Sequence, residues 1–563
     1  MKTTRALALL LTCVFLLFAF TACKKGGASG SSSPSVPSGS QPSGSVPGGE
    51  ASLGDSSLSA SSESGGGSSS NSGNPGSKAP GSSSAAGTKA PPSSDEKMPY
   101  FNVKDYGAKG NGASDDSGAI QKAIDAAGAA NGGIVYIPAG RYLMNAGVDV
   151  PMGVTIRGES PSTVKKWRKV ENLGTGTIAA EAAGSSWLDA ANFSGTWIVV
   201  NHGAGNVDAH ATFQMEGNSS IYGLGFVHKD TAPIVAKITV YPPAIAIKNT
   251  PSIPFTRDGM TIENIVLLNA YVGIAVHTGN GKLLDHQIGG DGSDIISMGR
   301  LRVHNVTGGC VFRGIIMKAL LDTIDLQDVR FGYTNMEKTY ASQRANQCAD
   351  MEWYRADGTN AANLFSFGAK YGILSTPAFT SGSTSMRLSD TELYGQYPIY
   401  LTATGQYEIE NCTFATMNFN NLVTEKTFRA MTVIQDTTSV HQPFYVFNKL
   451  NLVNQVQSAS ANDTTLHIET KHAGAPAMMV FSNITFSGWS PDKTDPVVYY
   501  ETTGDSYGGS AMFYNCTAKD GNTGSGMLFK AVNIPSGGLQ FNACTIPEVL
   551  KNNSNNTGAV WFN

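Results

Sequence analysis

A short apolar run, a small polar residue and a second apolar run recur along the chain. The clearest copy is Ile409-Glu410-Asn411-Cys412-Thr413-Phe414. The segments starting at Ile262, Phe481 and Phe513 follow the same pattern, each with Asn at the third place (Asn264, Asn483, Asn515). Looser copies begin at Val303, Leu326, Leu388 and Phe541, and one at Ile221 carries Gly223 at the turn. Asn tolerates the left-handed backbone region better than most residues, so it bends a strand sharply. A two-strand corner repeated in this way predicts coils stacked into a solenoid. A Gly-Ile step into a strand recurs at Gly273-Ile274, Gly314-Ile315 and Gly372-Ile373. Spacing varies: 41 residues separate Ile262 from Val303 and 62 separate Leu326 from Leu388, against 21 from Leu388 to Ile409. The long intervals predict insertions, where function tends to sit. A solenoid presents a long flat face and an adjoining groove, which suit a polymer.

The N-terminus stands apart from this pattern. Lys2 and Arg5 precede an apolar run from Ala6 to Phe20, the length of a secretory signal and short for a membrane span. Phe18-Ala19-Phe20-Thr21-Ala22-Cys23 resembles the lipobox of bacterial lipoproteins, with Phe20 in place of the usual Leu. That resemblance implies removal of residues 1–22, acylation of Cys23 and an extracytoplasmic protein anchored to the bacterial membrane and exposed at the surface. Lys24 and Lys25 would face anionic headgroups. The rest of 23–97 is dominated by Ser, Gly, Pro and Ala, too poor in apolar residues to order itself. As a flexible stalk it would reach roughly 45–50 Å. Residues 98–563 form the repeat domain, with 98–160 as its N-terminal cap and first coils. The net charge of −4 gives no support for nucleic-acid binding. Cys310, Cys348, Cys412, Cys516 and Cys544 are odd in number. Cys412, Cys516 and Cys544 fall just after the turn of their repeats, which fits an interior apolar ladder better than disulfides. No zinc-type Cys/His spacing is present, and no metal ligands are assigned.

The run Tyr100-Phe101-Asn102-Val103-Lys104-Asp105-Tyr106-Gly107-Ala108-Lys109-Gly110-Asn111-Gly112-Ala113-Ser114-Asp115-Asp116 leads into an amphipathic segment with Ile120, Ala123, Ile124 and Ala127 on one face. Ser114, Asp115 or Asp116 can cap that helix, and the acids suit its positive end. Ile134-Val135-Tyr136-Ile137 and Val154-Thr155-Ile156 then read as strands. The stretch resembles the N-terminal segment of the pectate-lyase-like superfamily, which includes rhamnogalacturonases, polygalacturonase-related hydrolases, sugar-polymer epimerases and phage tailspikes. The resemblance implies an all-β, single-stranded right-handed parallel β-helix with an N-terminal capping helix. It also makes Asp115 and Asp116 capping residues, away from the groove.

The candidate chemistry lies in the long intervals. The segment after Val276 carries Asp285, His286, Asp291 and Asp294. The interval after Leu326 carries Asp350, Glu352, Trp353 and Tyr354, and Asp322 and Asp325 precede it. Glycosidases need one carboxylic acid to protonate the leaving oxygen and one carboxylate to attack carbon or activate water. Asp285, Asp291, Asp294, Asp350, Glu352, Asp322 and Asp325 are therefore the catalytic candidates. β-Helix lyases instead need a base near the sugar C5, with a metal or Arg to stabilise the developing anion. His286, Trp353, Tyr354, Arg313 and Lys318 are candidates for substrate binding, through stacking or contacts to a charged sugar. Each also has a plain structural reading as turn, flank or solvated face.

The Asn-Thr-Asp, Asp-Asp, Gly-His-Gly and Arg-Ile-Lys motifs of polygalacturonases are not found in the central coils. The Asp-Pro-His-Glu motif of mannuronan epimerases is also missing, so no catalytic residue is carried over. The resemblance implies a carbohydrate-active, surface-anchored monomer that cleaves glycosidic bonds of a polysaccharide, some of it uronate, by carboxylate acid/base catalysis. Such a hydrolase requires no cofactor. Two rival readings stand beside it. One is a lyase of the same fold, for which calcium is expected. The other is a non-catalytic glycan-binding adhesin, which the missing motifs favour.

Overall fold

The computed structural model describes residues 98–163, 193–229, 238–248, 259–277 and 283, and most of the chain from 296 to 563. All of these belong to one compact unit, Pro91–Asn563. Residues 1–97, with Cys23 and the Ser/Gly/Pro stretch, lie outside the described residues.

The repeat closes as a right-handed parallel β-helix, and all but one of its strand pairs run parallel. Each coil contributes to three walls. The first wall takes the C-terminal parts of β1 (Met260–His277) and β2 (Ile296–Met317). It continues with β3 (Ala349–Trp353) and the C-terminal parts of β4 (Phe365–Ser375) and β5 (Glu392–Leu401). It ends with β6 (Arg429–Gln435), β7 (Thr464–Thr470), β8 (Pro496–Thr502) and β9 (Met527–Val532). The second wall holds the run before each corner and the third wall the run after it.

The corner residues adopt the left-handed region that the Asn pattern requires: Asn264 at φ 59°, Asn411 at 53°, Asn483 at 57° and Asn515 at 50°. Their side chains bond from coil to coil. Asn483 Nδ2 donates to Asn448 Oδ1 at 2.9 Å, and Asn515 Nδ2 to Asn483 Oδ1 at 2.8 Å. Each bond satisfies a polar group at a place where the strand ladder is interrupted.

Inside the coils, equivalent apolar residues sit one strand spacing apart. Phe447, Phe481, Phe513 and Phe541 occupy successive paired positions. Their ring centroids are 4.8, 4.7 and 4.8 Å apart along the column. This matches the roughly 4.8 Å between hydrogen-bonded strands. One buried cluster runs from Val103 to Val560. Cys412 and Cys516 are buried thiols on this interior, with Cys544 packed against it, as the repeat predicts.

Helix α1 (Ser117–Ala129) buries Ile120, Ala123, Ile124 and Ala127 against the first coil. Asp115 accepts from Ser117 N at 3.0 Å and Oγ at 2.6 Å. Asp116 accepts from Lys109 N at 2.5 Å and Gly110 N at 3.0 Å. Asp115 thus caps the first turn of the helix, and Asp116 ties it to its lead-in loop.

The interval from Leu326 to Leu388 differs from the expected single insertion. It contains helix α2 (Lys338–Gln347) and also a complete regular coil, turning at Asn363 with φ 53°. A further unrecognised corner turns at Lys449, also φ 53°. The first lacks a large apolar residue before the turn and the second lacks Asn at it, so neither matches the pattern.

Candidate active site

Of the sequence candidates whose side chains are described, all but Asp325 are assigned to packing. Asp350 is fully buried, with its carboxylate held by Arg344 of α2 at 2.5 Å and by Ser366 Oγ at 2.6 Å. Arg344 also donates to the carbonyl of Cys310 at 2.9 Å, so α2 pins itself to the coil through this one side chain. Glu352 is 1% exposed and paired with Arg313. Arg313 donates in addition to the carbonyls of Phe312 and Gln347, each at 2.9 Å. Two carboxylates neutralised and covered in this way cannot meet a polymer. Trp353 lies in the core, and Tyr354 packs with Val272, Ala275, Leu283 and Ile316. Lys318 is buried with its ammonium 4.9 Å from the Tyr354 ring centre. The expectation that these side chains contact substrate is therefore corrected: Asp350 and Arg313 fasten the inserted helix, Glu352 neutralises Arg313, Trp353 fills the interior of the coils, and Tyr354 packs on their flank with Lys318 beside it.

Asp325 is placed differently. On the second wall it accepts from His304 at 2.9 Å and from Gln327 at 2.8 Å. The same wall carries a groove of about 470 Å³ with a mixed lining that includes Asn360, Arg387 and Glu408 beside Ala361, Leu388 and Ile409. Asp322 lies in the strand Leu320–Phe331, and its side chain is outside what is described. Asp285, His286, Asp291 and Asp294 lie outside the described residues. From that segment only Leu283 is placed, buried, with its N–H donating to Asp208 at 2.7 Å.

Acids do meet on the outer face of the first wall, farther along. The outward column passes through Tyr400, Thr432, His467, Tyr499 and Lys530 on successive strands β5 to β9. Two residues on, Glu469 of β7 and Glu501 of β8 are directly paired. Their backbones therefore stand about 4.8 Å apart, with side chains on the same face. His467 Nε2 donates to Glu469 at 2.5 Å and the Tyr499 hydroxyl to Glu501 at 2.7 Å. Burial pushes the His467 pKa below its ordinary value, and the bond to Glu469 opposes this only in part. The ring is consequently neutral at pH 7 and carries its proton on Nε2. Burial, then the bond to Glu501, raises the Tyr499 phenol, which stays protonated as the donor. Glu469 keeps 21% of its side chain exposed, so the pair is both held and reachable.

Arg429 starts β6 beside this pair. Its charge acts on Tyr400, His467 and Tyr499, yet among the described residues it has no ion pair and its Nε is buried without an acceptor. Among the described residues, Thr432 Oγ1 of β6 and Thr465 Oγ1 and His467 Nδ1 of β7 are likewise buried without a hydrogen-bond partner.

The upstream edge is built by α2 and the segment 421–428. Asn346 of α2 donates to the Leu422 carbonyl and accepts from Thr424 N, both at 2.9 Å. Glu425 takes bonds from Lys370 at 2.9 Å and from the Tyr397 hydroxyl at 2.8 Å. Burial opposes the Glu425 charge, but these bonds outweigh it and keep the carboxyl below its usual range. The insertion thus shapes the site from behind while contributing no reacting acid. The sequence does carry a signal for this pair. His467-Ile-Glu469 and Tyr499-Tyr-Glu501 repeat at 32 residues, the interval between Phe481 and Phe513. Aligning the coils on that period puts two acids on one outward column.

Residues 100–280 match the family described as rhamnogalacturonase A/epimerase, pectate lyase-like. Mannuronan C5-epimerase AlgE3 of Azotobacter vinelandii is 68% identical over 47 residues, which are 8% of this chain and 3% of the epimerase. Plasmin and fibronectin-binding protein A of Streptococcus pneumoniae (strain ATCC BAA-255 / R6) is 27% identical over 188 residues, 32% of this chain and 22% of that protein. The chain thus spans well under two thirds of either relative. Among solved structures, the catalytic unit of the thermostable GH87 α-1,3-glucanase from Streptomyces thermodiastaticus strain HF3-3 aligns with a TM-score of 0.42 at 16% identity. That alignment covers 83% of this chain and 70% of the glucanase.

Proposed function

We propose that this chain, whose residues 100–280 match the rhamnogalacturonase A/epimerase, pectate lyase-like family, is an enzyme cleaving glycosidic bonds of a polysaccharide laid along its first wall. The observation that carries this reading is the paired placement of Glu469 and Glu501 on adjacent strands, with the Glu469 side chain 21% exposed. One carboxyl group protonates the leaving oxygen while the other attacks the sugar carbon or activates water. His467 and Tyr499 fix the two carboxylates in place, and Arg429 binds a charged sugar such as a uronate. Cys23, acylated, would tether the enzyme outside the membrane with 24–97 as a spacer. The Cys23→Ser variant should then leave the membrane fraction.

The test is incubation of the full chain with plant and microbial polysaccharides, with and without calcium. New reducing ends without unsaturated uronide absorbance, lost in Glu469→Gln, support the reading. Unsaturated uronide would instead favour a lyase, for which Arg429, without an ion pair among the described residues, supplies the charge-neutralising group. Among the described residues no group of three or more His, Cys, Asp or Glu is placed to hold a metal ion.

A further inference from the structure

The geometry points to a sugar-stacking subsite at Tyr400, upstream of Glu469 along the helix axis, so that the polymer crosses successive coils of the first wall. The inference rests on the reading of Glu469 and Glu501 as the reacting acids.

Tyr400 faces outward two strands before His467, and the position between them is the small Thr432. Two strand spacings, about 9.6 Å, therefore separate two ring-bearing positions over a low floor. Thr432 itself is buried, so the polar group beside the gap is Arg429, whose charge acts on both Tyr400 and His467. A charged sugar offers its carboxylate to such a group and a C–H face to an aromatic ring.

Tyr400 is also held as a platform should be. It meets Tyr371 and Tyr397 edge-on, with centroids 5.5 Å apart in both cases. Those two rings stack on each other at 5.4 Å, and Lys370 lies 5.5 Å from the Tyr371 ring centre while bonding Glu425. A ring fixed before binding loses little freedom when a ligand arrives. Tyr397 spends its hydroxyl on Glu425 and is nearly covered. Tyr400 differs: it is half-buried, and among the described residues its hydroxyl makes no hydrogen bond. Burial raises its phenol pKa, and the charges of Arg429, Glu469 and Glu425 all reach it, which sets it between the aromatic cluster and the acids. At the other end Lys530 lies 5.8 Å from the Tyr499 ring centre. From β4 to β9 the face spans five strand spacings, about 24 Å. A chain of several sugars is required to occupy it, and cleavage should fall within the chain.

The test is affinity electrophoresis of the full chain in native gels containing polygalacturonate or mannuronan, with Tyr400→Ala, Tyr400→Phe and, from the second wall, Tyr514→Ala. Expected is retardation of the wild type, a dissociation constant raised about three- to tenfold in Tyr400→Ala, recovery of most of that loss in Tyr400→Phe, and no change in Tyr514→Ala. Equal retardation of Tyr400→Ala and wild type overturns the subsite, as does a wild type unretarded by either polymer. Equal loss in Tyr514→Ala also overturns it, by making the retention nonspecific. The acid assignment fails separately, if Glu469→Gln cleaves as fast as wild type.

Discussion

The imidazole of His467 lies parallel to the ring of Tyr499, with centroids 4.7 Å apart and planes 2° apart. Each ring bonds the carboxylate two residues along its own strand, so one stack orients both acids. The β-helix makes this possible by returning the chain to the same outward position one strand spacing on. The stack also predicts how the site responds to mutation. His467→Ala frees Glu469 and leaves Glu501 bonded, so it should lower the cleavage rate less than loss of either carboxylate. Steady-state rates of the three variants check the order.

Arg429 supplies a charge that no described residue neutralises. Arg429→Gln should raise KM for an anionic polysaccharide about 10- to 100-fold, the worth of a charge-assisted hydrogen bond. Thermal stability should change little, because no described ion pair is broken. Initial-rate kinetics on a uronate polymer beside a melting curve separate the two effects.

The buried Arg344–Asp350 pair fastens α2 to the coil. Removing one partner leaves the other charge buried, a loss of roughly 3–5 kcal/mol. Asp350→Ala should therefore be strongly destabilised, and Arg344→Met with Asp350→Leu should cost less than the two changes summed. Urea denaturation of the single and double variants measures this.

Acid should weaken the fold through its buried histidines. Burial, with a smaller contribution from neighbouring His202, lowers His228 to about 3, and burial followed by His210 lowers His202 to about 4. Both lie below the ordinary 6.5, so the unfolded chain binds more protons in this range. Their contribution is present above about pH 6.5 and is lost as pH falls toward 4 and then 3, each unit of difference being worth about 1.4 kcal/mol. Melting temperatures from pH 7 to 4 should fall, and His228→Phe should flatten the curve. An unchanged slope in that variant would contradict the assignment.

The fold was legible because its period is written in residue types that turns and interiors select. Asn411, Asn483 and Asn515 mark the corners, and Phe481, Phe513 and Phe541 mark the interior. Coils turning at Asn363 and Lys449 depart from the pattern because small Ala361 stands where a large apolar residue is usual and Lys449 takes the place of Asn. At Lys449 a side chain with no preference for φ 53° occupies the left-handed position. Lys449→Asn should accordingly stabilise the domain by up to about 1 kcal/mol, measurable as a higher melting temperature. The site was less legible. Charge density drew attention to Asp350 and Glu352, yet acids grouped near arginines in an insertion also describe a buried clasp. The separation between clasp and site depends on which strand faces are covered, which no local pattern reports. Glu469 and Glu501 were hidden by lying in regular coils, where repetition suggests scaffold.

The central claim is that Glu469 and Glu501 are the reacting acids. Its most direct test is the rate of polysaccharide cleavage by Glu469→Gln and by Glu501→Gln, each compared with wild type on the same substrate. The account predicts a loss of about 10²- to 10⁴-fold in each, with melting temperatures retained. Wild-type rates in either variant would contradict it.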